Sequence, residues 1–378
     1  MKKPKVLVAM SGGVDSSVAA ALLKQQGYDL IGITLQIWPD VSPSETKSNS
    51  GCCSLSAVED ARRVANALDI PHYVLNFQEI FQSKVIDNFV AEYKAVRTPN
   101  PCIRCNEHIK FKALLDKADE LGAEYLATGH YARVKSEILN TKSETNDKSQ
   151  NRKYKLLKGK DSSKDQSYVL YMLNQENLPR ILFPLGELTK VEVRKMAAEL
   201  GLKVADKPDS QEICFVPDDK YGEFLAQYVP EGNRRGDIVD DQGRKFGHHK
   251  GIIHYTVGQR RGLGIAYKTP LYVIKIDKEK NQVVVGEEDD TYGDELVASG
   301  VSYVGGRCTV NGVQDISAKI RYKTPEYKAK IFPLENNQVK VQFEEPVKAI
   351  TPGQAVVFYL PAGRHGDGDE VLGGGTIC

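Results

Sequence analysis

The sequence predicts an α/β chain: a doubly wound parallel sheet first, then a small mixed central domain and an all-β C-terminal module. Three observations carry that expectation. Strand-like apolar runs alternate with amphipathic helical runs through about the first 130 residues, which is the pattern of parallel βαβ units. After Phe215 the helical runs give way to short β-branched runs broken by Gly, Asp and Asn. In the last 90 or so residues these runs are separated by turn signals such as "LENNQ", as in hairpins.

The elements follow in order. "KVLVAM" reads as a buried first strand, "SSVAAALLKQQG" as a helix and "LIGITLQIW" as a second strand. "AVEDARRVANALDI" is helical and leads to the strand "HYVLNF". A helix near Ile80 to Lys94, the helix "FKALLDKADELG" and the strand "YLATGHY" complete the pattern. Two polar stretches, Pro39 to Gly51 and Ser136 to Lys153, have loop compositions. Beyond them, "GDIVDDQGRKFG" and "LYVIKIDKEKNQVVVG" read as strands with tight turns. The expected domains are residues 1–216, 217–286 and 287–378.

With 378 residues the chain can bury more than one core, and 41% apolar with 27% charged residues is ordinary for a globular protein. No apolar run approaches the ~18 residues of a membrane span. The apolar run after the basic start, "VLVAM", is too short for a signal peptide, so a cytoplasmic protein with no membrane partner is expected. The net charge of +1 conceals a basic stretch: from Asn233 to Arg261 there are seven Lys or Arg against three Asp. That stretch is either a solvated face or a surface for a phosphate backbone.

Between the first strand and the first helix lies "SGGVDS", Ser11 to Ser16. Two glycines allow a tight turn and close approach to a ligand. The helix start and the hydroxyls of Ser11 and Ser16 then form a nest for an anion. No Gly-Lys-Ser/Thr follows, so the loop is not a Walker A motif. It resembles the signature of the PP-loop ATP pyrophosphatases, which implies ATP and Mg²⁺, transfer of AMP to an oxygen, and Asp15 as a metal contact.

Seven cysteines at irregular spacing argue against a disulfide framework in a cytoplasmic chain. Cys102 and Cys105, in "RTPNPCIRCNEHIKFK", fit a metal clip, a disulfide or sulfur chemistry alike. Cys214 in "DSQEICF" supplies a further thiol, and Arg104 and Lys110 are basic neighbours able to favour a thiolate at Cys105. An adenylated carbonyl oxygen is a leaving group that a sulfur nucleophile can displace. Two cysteines suit that chemistry, one presenting a persulfide and the other resolving it. Cys52 and Cys53, beside a helix start, read as packing or incidental residues, and Cys378 as a tail thiol.

The motifs "AMSGGVDSS", "AEYKAVRTPNPCIRCNEHIKFK", "YLATGHYAR", "KDQSYVLY", "DSQEICF", "HYTVGQRRGLGI", "KIRYK" and "TPGQAVVFY" occur in this order. Through them the chain resembles, over nearly its whole length, the tRNA-specific 2-thiouridylases (the MnmA/TrmU family). The resemblance implies a PP-loop ATPase domain, a central tRNA-binding domain and a C-terminal β-barrel for tRNA docking. It implies 2-thiolation of the wobble uridine of Lys, Glu and Gln tRNAs, by adenylation of the C2 oxygen and sulfur transfer from a cysteine persulfide. A cysteine desulfurase or sulfur-relay protein would be the donor. Cys105 would be the nucleophile and Cys214 the persulfide carrier, with a disulfide between them formed in each turnover.

ATP contacts would come from Ala9, Met10, Ser11, Gly12, Gly13, Val14, Asp15, Ser16, Leu35 and Gly129. Contacts to tRNA would come from Asn100, Pro101, Cys102, His130, Lys164, Asp165, Gln166, Arg321, Tyr322 and Gln354. Cys102 stands where some relatives carry aspartate. The alternative reading therefore has Cys102, Cys105 and Cys214 holding an iron–sulfur cluster for the same thiolation. A structural zinc site would need a fourth ligand such as His108. A PP-loop adenylating ligase of another kind would leave Cys105 and Cys214 unused, and a metal-clipped RNA-binding module would leave the loop unused.

Overall fold

The computed structural model describes residues 3–37, 55–138, 152–209, 213–216, 220–306, 313–363 and 368–378. Cys52, Cys53 and Cys308 lie outside the described residues, as do Pro39 to Gly51 and 139–151.

Strands β1 (Lys5–Ala9), β2 (Asp29–Gln36), β3 (His72–Asn76) and β4 (Tyr125–Ala127) pair in parallel. A hairpin of β5 (Ala132–Ile138) and β6 (Arg152–Lys158) intervenes before β7 (Ile181–Leu182) joins the same sheet beside β4. The order is β3-β2-β1-β4-β7. Val6, Leu7 and Val8 of β1 are fully buried, as expected of a strand covered on both faces. Leu7, Ile33, Leu126 and Ile181 pack into one core, and Val6, Val8, Leu30 and Ala127 into another. The chain steps outward from β1 to β3 and then returns to the other side of β1 for β4. That reversal opens a crevice at the carboxyl ends of β1 and β4, where open α/β sheets bind ligands.

The helix expected near residues 80–94 is present from Gln78 to Lys94, with a π-helical turn over Gln82–Ile86. A longer π-helical stretch, Cys105–Ala113, separates the helical turns Pro101–Arg104 and Leu114–Glu120. Such widened turns often mark functional segments.

After the helix Tyr221–Tyr228, the central part forms a four-stranded sheet. It consists of β8 (Gly236–Val239), β9 (Lys245–His249), β10 (Tyr272–Asp277) and β11 (Gln282–Gly286), in the order β10-β11-β8-β9. Ile238, Val273, Val283 and Val285 make its core.

The last part contains β12 (Tyr292–Tyr303), β13 (Gln314–Lys319), β14 (Tyr327–Pro333), β15 (Gln338–Lys348), β16 (Ala355–Tyr359) and β17 (Glu370–Ile377). These strands run antiparallel in the order β12-β15-β14-β13-β16-β17, and pairing of β12 with β17 closes the barrel. Closure removes exposed sheet edges. The hairpin β5–β6 attaches to this barrel through Leu156–Val371 and Leu157–Glu370. Both ends of the stretch read from sequence as a loop, Ser136 to Lys153, are therefore strand. Its lysines and arginines hid the pattern: Leu156 is fully buried, but in a core shared with Tyr359 and Val371 of the barrel. No helix among the described residues is long and apolar enough to cross a membrane.

Candidate nucleotide and thiol site

The loop after β1 turns at Gly12, whose φ is +67°; a Cβ there would lie 2.0 Å from the Ala57 carbonyl oxygen. Glycine is required by both conformation and space. Gly13 caps the helix Val14–Gln25 without a side-chain bond. The hydroxyls of Ser16 and Ser17 donate to the Gly13 carbonyl at 3.2 and 2.8 Å, and the Ser11 N–H donates to Ser16 Oγ at 3.1 Å. These bonds hold the loop shut on itself and leave the amide-rich helix start facing the crevice, a favourable place for an anion. Gly129, after β4, backs the loop: a Cβ there would meet Ser16 N at 2.7 Å and the Asp15 carbonyl carbon at 2.8 Å.

A cavity of about 580 Å³ opens here. Of the expected ATP residues, Ala9, Met10, Ser11, Gly13, Val14, Asp15, Ser16, Leu35 and Gly129 line it, while Gly12 does not. Of the residues expected to meet tRNA, His130, Lys164, Gln166 and Tyr322 line the same cavity; Asn100, Pro101, Cys102, Asp165, Arg321 and Gln354 do not. Cys105 and Cys214 also lie outside its lining.

Sequence reading named Asp15 and Lys164 but missed Lys190, Lys207 and Asp209 in the charged lining. Lys190, 8% exposed, donates to both carboxylate oxygens of Asp15 at 2.7 Å and to Asp209 Oδ1 at 2.8 Å. Asp209 also pairs with Lys164 at 2.8 Å and Arg194 at 3.0 Å. Burial raises the Asp209 pKa, but the bonds and charges of Lys164 and Lys190 outweigh it and hold the carboxyl at about 2. Tyr131 donates its hydroxyl to Asp15 Oδ1 at 2.7 Å, and burial, then the Asp15 charge, push its pKa up. Lys207 bonds the Gly12 carbonyl at 3.0 Å and Asp60 at 2.8 Å. One signal was available: Thr189 and Glu192 form a capping box. That box places Lys190 in the first turn of the helix Lys190–Glu199.

His130 is buried between Phe111 and Phe183, with Nδ1 2.7 Å from Thr128 Oγ1. Burial first, then the Lys110 charge, hold its pKa well below the ordinary value, so it is neutral at pH 7. Asp165 is buried and accepts from Gly159 N, Ser167 N and Ser167 Oγ at 2.8 to 3.0 Å. Its carboxylate organises the turn that presents Lys164 and Gln166, whose Oε1 accepts from Tyr131 N at 2.9 Å.

The cysteine segment hangs between the three parts of the fold. Thr98 N donates to the Pro352 carbonyl at 2.8 Å and Gln354 Nε2 donates to the Thr98 carbonyl at 2.8 Å, while the Thr98 hydroxyl donates to that of Thr256 at 3.3 Å. Asn100 then caps the turn Pro101–Arg104, accepting from Cys102 N at 3.1 Å. Cys102 is exposed, whereas Cys105 and Cys214 are half-buried and pack against one shared core. Phe215 anchors Cys214 by edge contacts with Phe81 and Phe89. Arg104 is engaged by Glu107 at 2.9 Å, which tempers the help it can give a thiolate.

Tyr322 links the segment to the cavity. Its pKa is pushed up to about 12 by burial, then by the negative charge of Asp165 and Cys102. Its neighbour Arg321 points elsewhere, donating to the carbonyls of Val257 at 2.9 Å and Ala349 at 3.1 Å and to the Thr351 hydroxyl. Among the described residues, no group of three or more His, Cys, Asp or Glu is placed to hold a metal ion. His108 lies 3.5 Å from Glu107. In the basic central stretch, Arg244 stacks over Phe246 and Tyr267, while Lys245 pairs with Asp237 at 2.8 Å and His248 Nδ1 lies 2.9 Å from the same carboxylate.

Three family models match the chain. They are described as a tRNA methyl transferase HUP domain over residues 4–218, a tRNA methyl transferase PRC-barrel domain over 222–287, and an aminomethyltransferase β-barrel domain over 293–377. A tRNA-specific 2-thiouridylase MnmA 1 of Thermoanaerobacter sp. (strain X514) is 53% identical, covering 100% of this chain and 98% of the relative. The tRNA-specific 2-thiouridylase MnmA of Acetivibrio thermocellus is 50% identical over 100% of both chains. That of Halothermothrix orenii is 50% identical over 99% of this chain and 98% of its own. With half its residues identical to these relatives from end to end, the chain belongs to the tRNA-specific 2-thiouridylase family.

Proposed function

We propose that this protein uses ATP to convert a wobble uridine of tRNA to 2-thiouridine. The observation that carries the reading is the adjacency of two chemistries, a PP-loop cavity and a thiol segment, joined at Tyr322. The uracil O2 attacks the α-phosphorus of ATP and pyrophosphate departs. A persulfide on Cys214 attacks C2 and expels AMP, leaving the base joined to Cys214 through two sulfurs. The Cys105 thiolate then attacks Cys214 Sγ, releasing the thiolated base and forming a Cys105–Cys214 disulfide. A thiol reductant must supply two electrons to reopen it, and a cysteine desulfurase or relay protein must reload Cys214.

The loop amides, Ser11 and Ser16 would receive the phosphates. Asp15 and Asp209 are hard oxygen donors of the kind Mg²⁺ accepts, and the ion would offset triphosphate charge there. The wobble base must leave its stack to be reached, and Asn100 to Cys102 with Tyr322 would frame it. His130, neutral among aromatic rings, suits a wall against the base or adenine. Lys164 and Gln166, on the turn held by Asp165, would meet tRNA, with Arg321 and Gln354 ordering the junction beneath it. The division at residues 216 and 286 belongs to this reading and is supported by the four-stranded sheet that lies between those positions, while the hairpin β5–β6 of the first part joins the sheet of the last.

The test is single-turnover thiolation of tRNA with ATP and either a desulfurase donor or inorganic sulfide, using anaerobically purified protein assayed for iron. With the desulfurase donor, the expected result is activity in metal-free protein that is lost in Cys105→Ala and Cys214→Ala but retained in Cys102→Ala; sulfide, which attacks the adenylated C2 directly, should bypass Cys214. Activity that tracks iron content and also requires Cys102 would replace the relay with a cluster held by the three thiols.

A further inference from the structure

The cavity carries more positive charge than its own acids neutralise. Lys110, Lys164, Lys190, Lys207 and Lys323 line it, against only Asp15 and Asp209. Ammonium groups gathered around one pocket raise its potential and favour an anion there. Of Lys164, Lys190 and Lys207, Lys190 is the most buried: its side chain is 10% exposed, against 34% for Lys164 and 33% for Lys207. It is also the one bonded to the aspartate of the phosphate loop, through both oxygens, with Asp209 holding it from a second direction.

We propose that Lys190 is the cation that grips the pyrophosphate portion of ATP, aimed by Asp15 and Asp209 until the nucleotide arrives. The ammonium exchanges its Asp15 contacts for phosphate oxygens while Asp209 retains it. Asp15 is thereby freed to face the bound nucleotide, so one exchange prepares two groups. As the pyrophosphate leaves, the ammonium stabilises its growing negative charge in a partly desolvated place, where such a contact is strong. The inference rests on the ATP-dependent reading above and assigns a binding role to a residue that the loop motif does not contain.

Equilibrium binding of ATP, inorganic pyrophosphate and AMP is measured on the full chain, wild type beside Lys190→Gln and Lys190→Arg. Glutamine keeps a donor for Asp15 but removes the charge. Its affinity for ATP and pyrophosphate should fall roughly ten- to a hundredfold, the range of one charge-assisted hydrogen bond, while AMP binding stays within about twofold. Arginine should recover part of the loss. Should Lys190→Gln fail to fold by its thermal melt, Asp209→Asn, which unmoors the lysine and is titrated without Mg²⁺ so that no metal contact is read, should weaken pyrophosphate but not AMP. Unchanged or tighter pyrophosphate binding in Lys190→Gln, or in Asp209→Asn where that variant has to stand in, overturns the assignment, as does parallel loss of AMP. Wild type that binds neither ATP nor pyrophosphate would sink the adenylation reading itself, and this inference with it. Wild type that binds ATP beside an equally competent glutamine variant refutes only the role of Lys190.

Discussion

Replacing Arg321 by methionine separates two roles that its sequence position leaves mixed. Its guanidinium donates from one nitrogen to Val257 O, Ala349 O and Thr351 Oγ1. Val257 precedes β10, and Ala349 and Thr351 follow β15, so this one side chain ties the central sheet to the barrel. Burial lowers the Arg321 pKa, which marks a charge drawn partly out of water. A hydrogen bond from a charged donor contributes about 1.5–3 kcal/mol, and bonds that share one nitrogen do not add fully. Methionine keeps much of the stem's packing, and Thr351 Oγ1 still donates to the Ala349 carbonyl at 2.9 Å, so the loss falls mainly on the Val257 carbonyl and the Thr351 hydroxyl and about 1.5–3 kcal/mol is expected. The assay pairs urea unfolding with tRNA binding over a series of salt concentrations. The expected result is a lower unfolding midpoint with an unchanged slope of log affinity against log salt. A slope shallower by about one, with the midpoint unmoved, would show Arg321 neutralising an RNA phosphate and refute its role as a strut.

Three further outcomes follow from the site. Asp209 has a folded pKa of about 2 against 3.8 unfolded, so its contribution is present above pH 3.8 and is lost as pH falls through 2. After allowance for solvent screening this amounts to about 1 kcal/mol. Asp209→Asn should lose that amount at neutral pH and flatten the acid limb in unfolding curves taken between pH 2 and 5; an acid limb identical to wild type would contradict it. His130 has a depressed pKa, so the unfolded chain takes up its proton first and stability should decline as pH drops below about 6.5. His130→Phe should remove part of that decline, and the His130 imidazole resonances should titrate well below those of an exposed histidine. Gly129→Ala places a methyl against Ser16 N and the Asp15 carbonyl, both backbone atoms that cannot step aside. ATP affinity should fall at least tenfold by direct titration, and normal affinity would mean that the loop tolerates displacement.

Local chemistry was legible in the chain. "SGGVDS" after a buried strand announces a phosphate loop because turn geometry, helix start and hydroxyls all lie within six residues. The parallel sheet follows from apolar runs and helical spacing, and the all-β character of the last part from β-branched runs and hairpin turns, while its closure as a barrel was implied only by the family resemblance. Cys102, Cys105 and Cys214 could be singled out because thiols are few and chemically distinctive.

What the chain alone left hidden depends on pairs far apart in sequence. Asp15 and Lys190 are separated by 175 residues, and a lysine in the first turn of a helix looks like any solvated lysine until burial and two carboxylates surround it. Leu156 sits among basic residues, and its segment becomes a strand by pairing with β5 on one side and the barrel strand β17 on the other. Arg321 beside Tyr322 reads as a phosphate grip, yet its acceptors are the Thr351 hydroxyl and carbonyls brought in from residues 257 and 349. Charge and hydrogen-bond partnerships fall off within a few ångströms, so they are decided by which distant segments the fold brings together. Period and turn chemistry act between neighbours along the chain, and this protein's sequence determined those by itself.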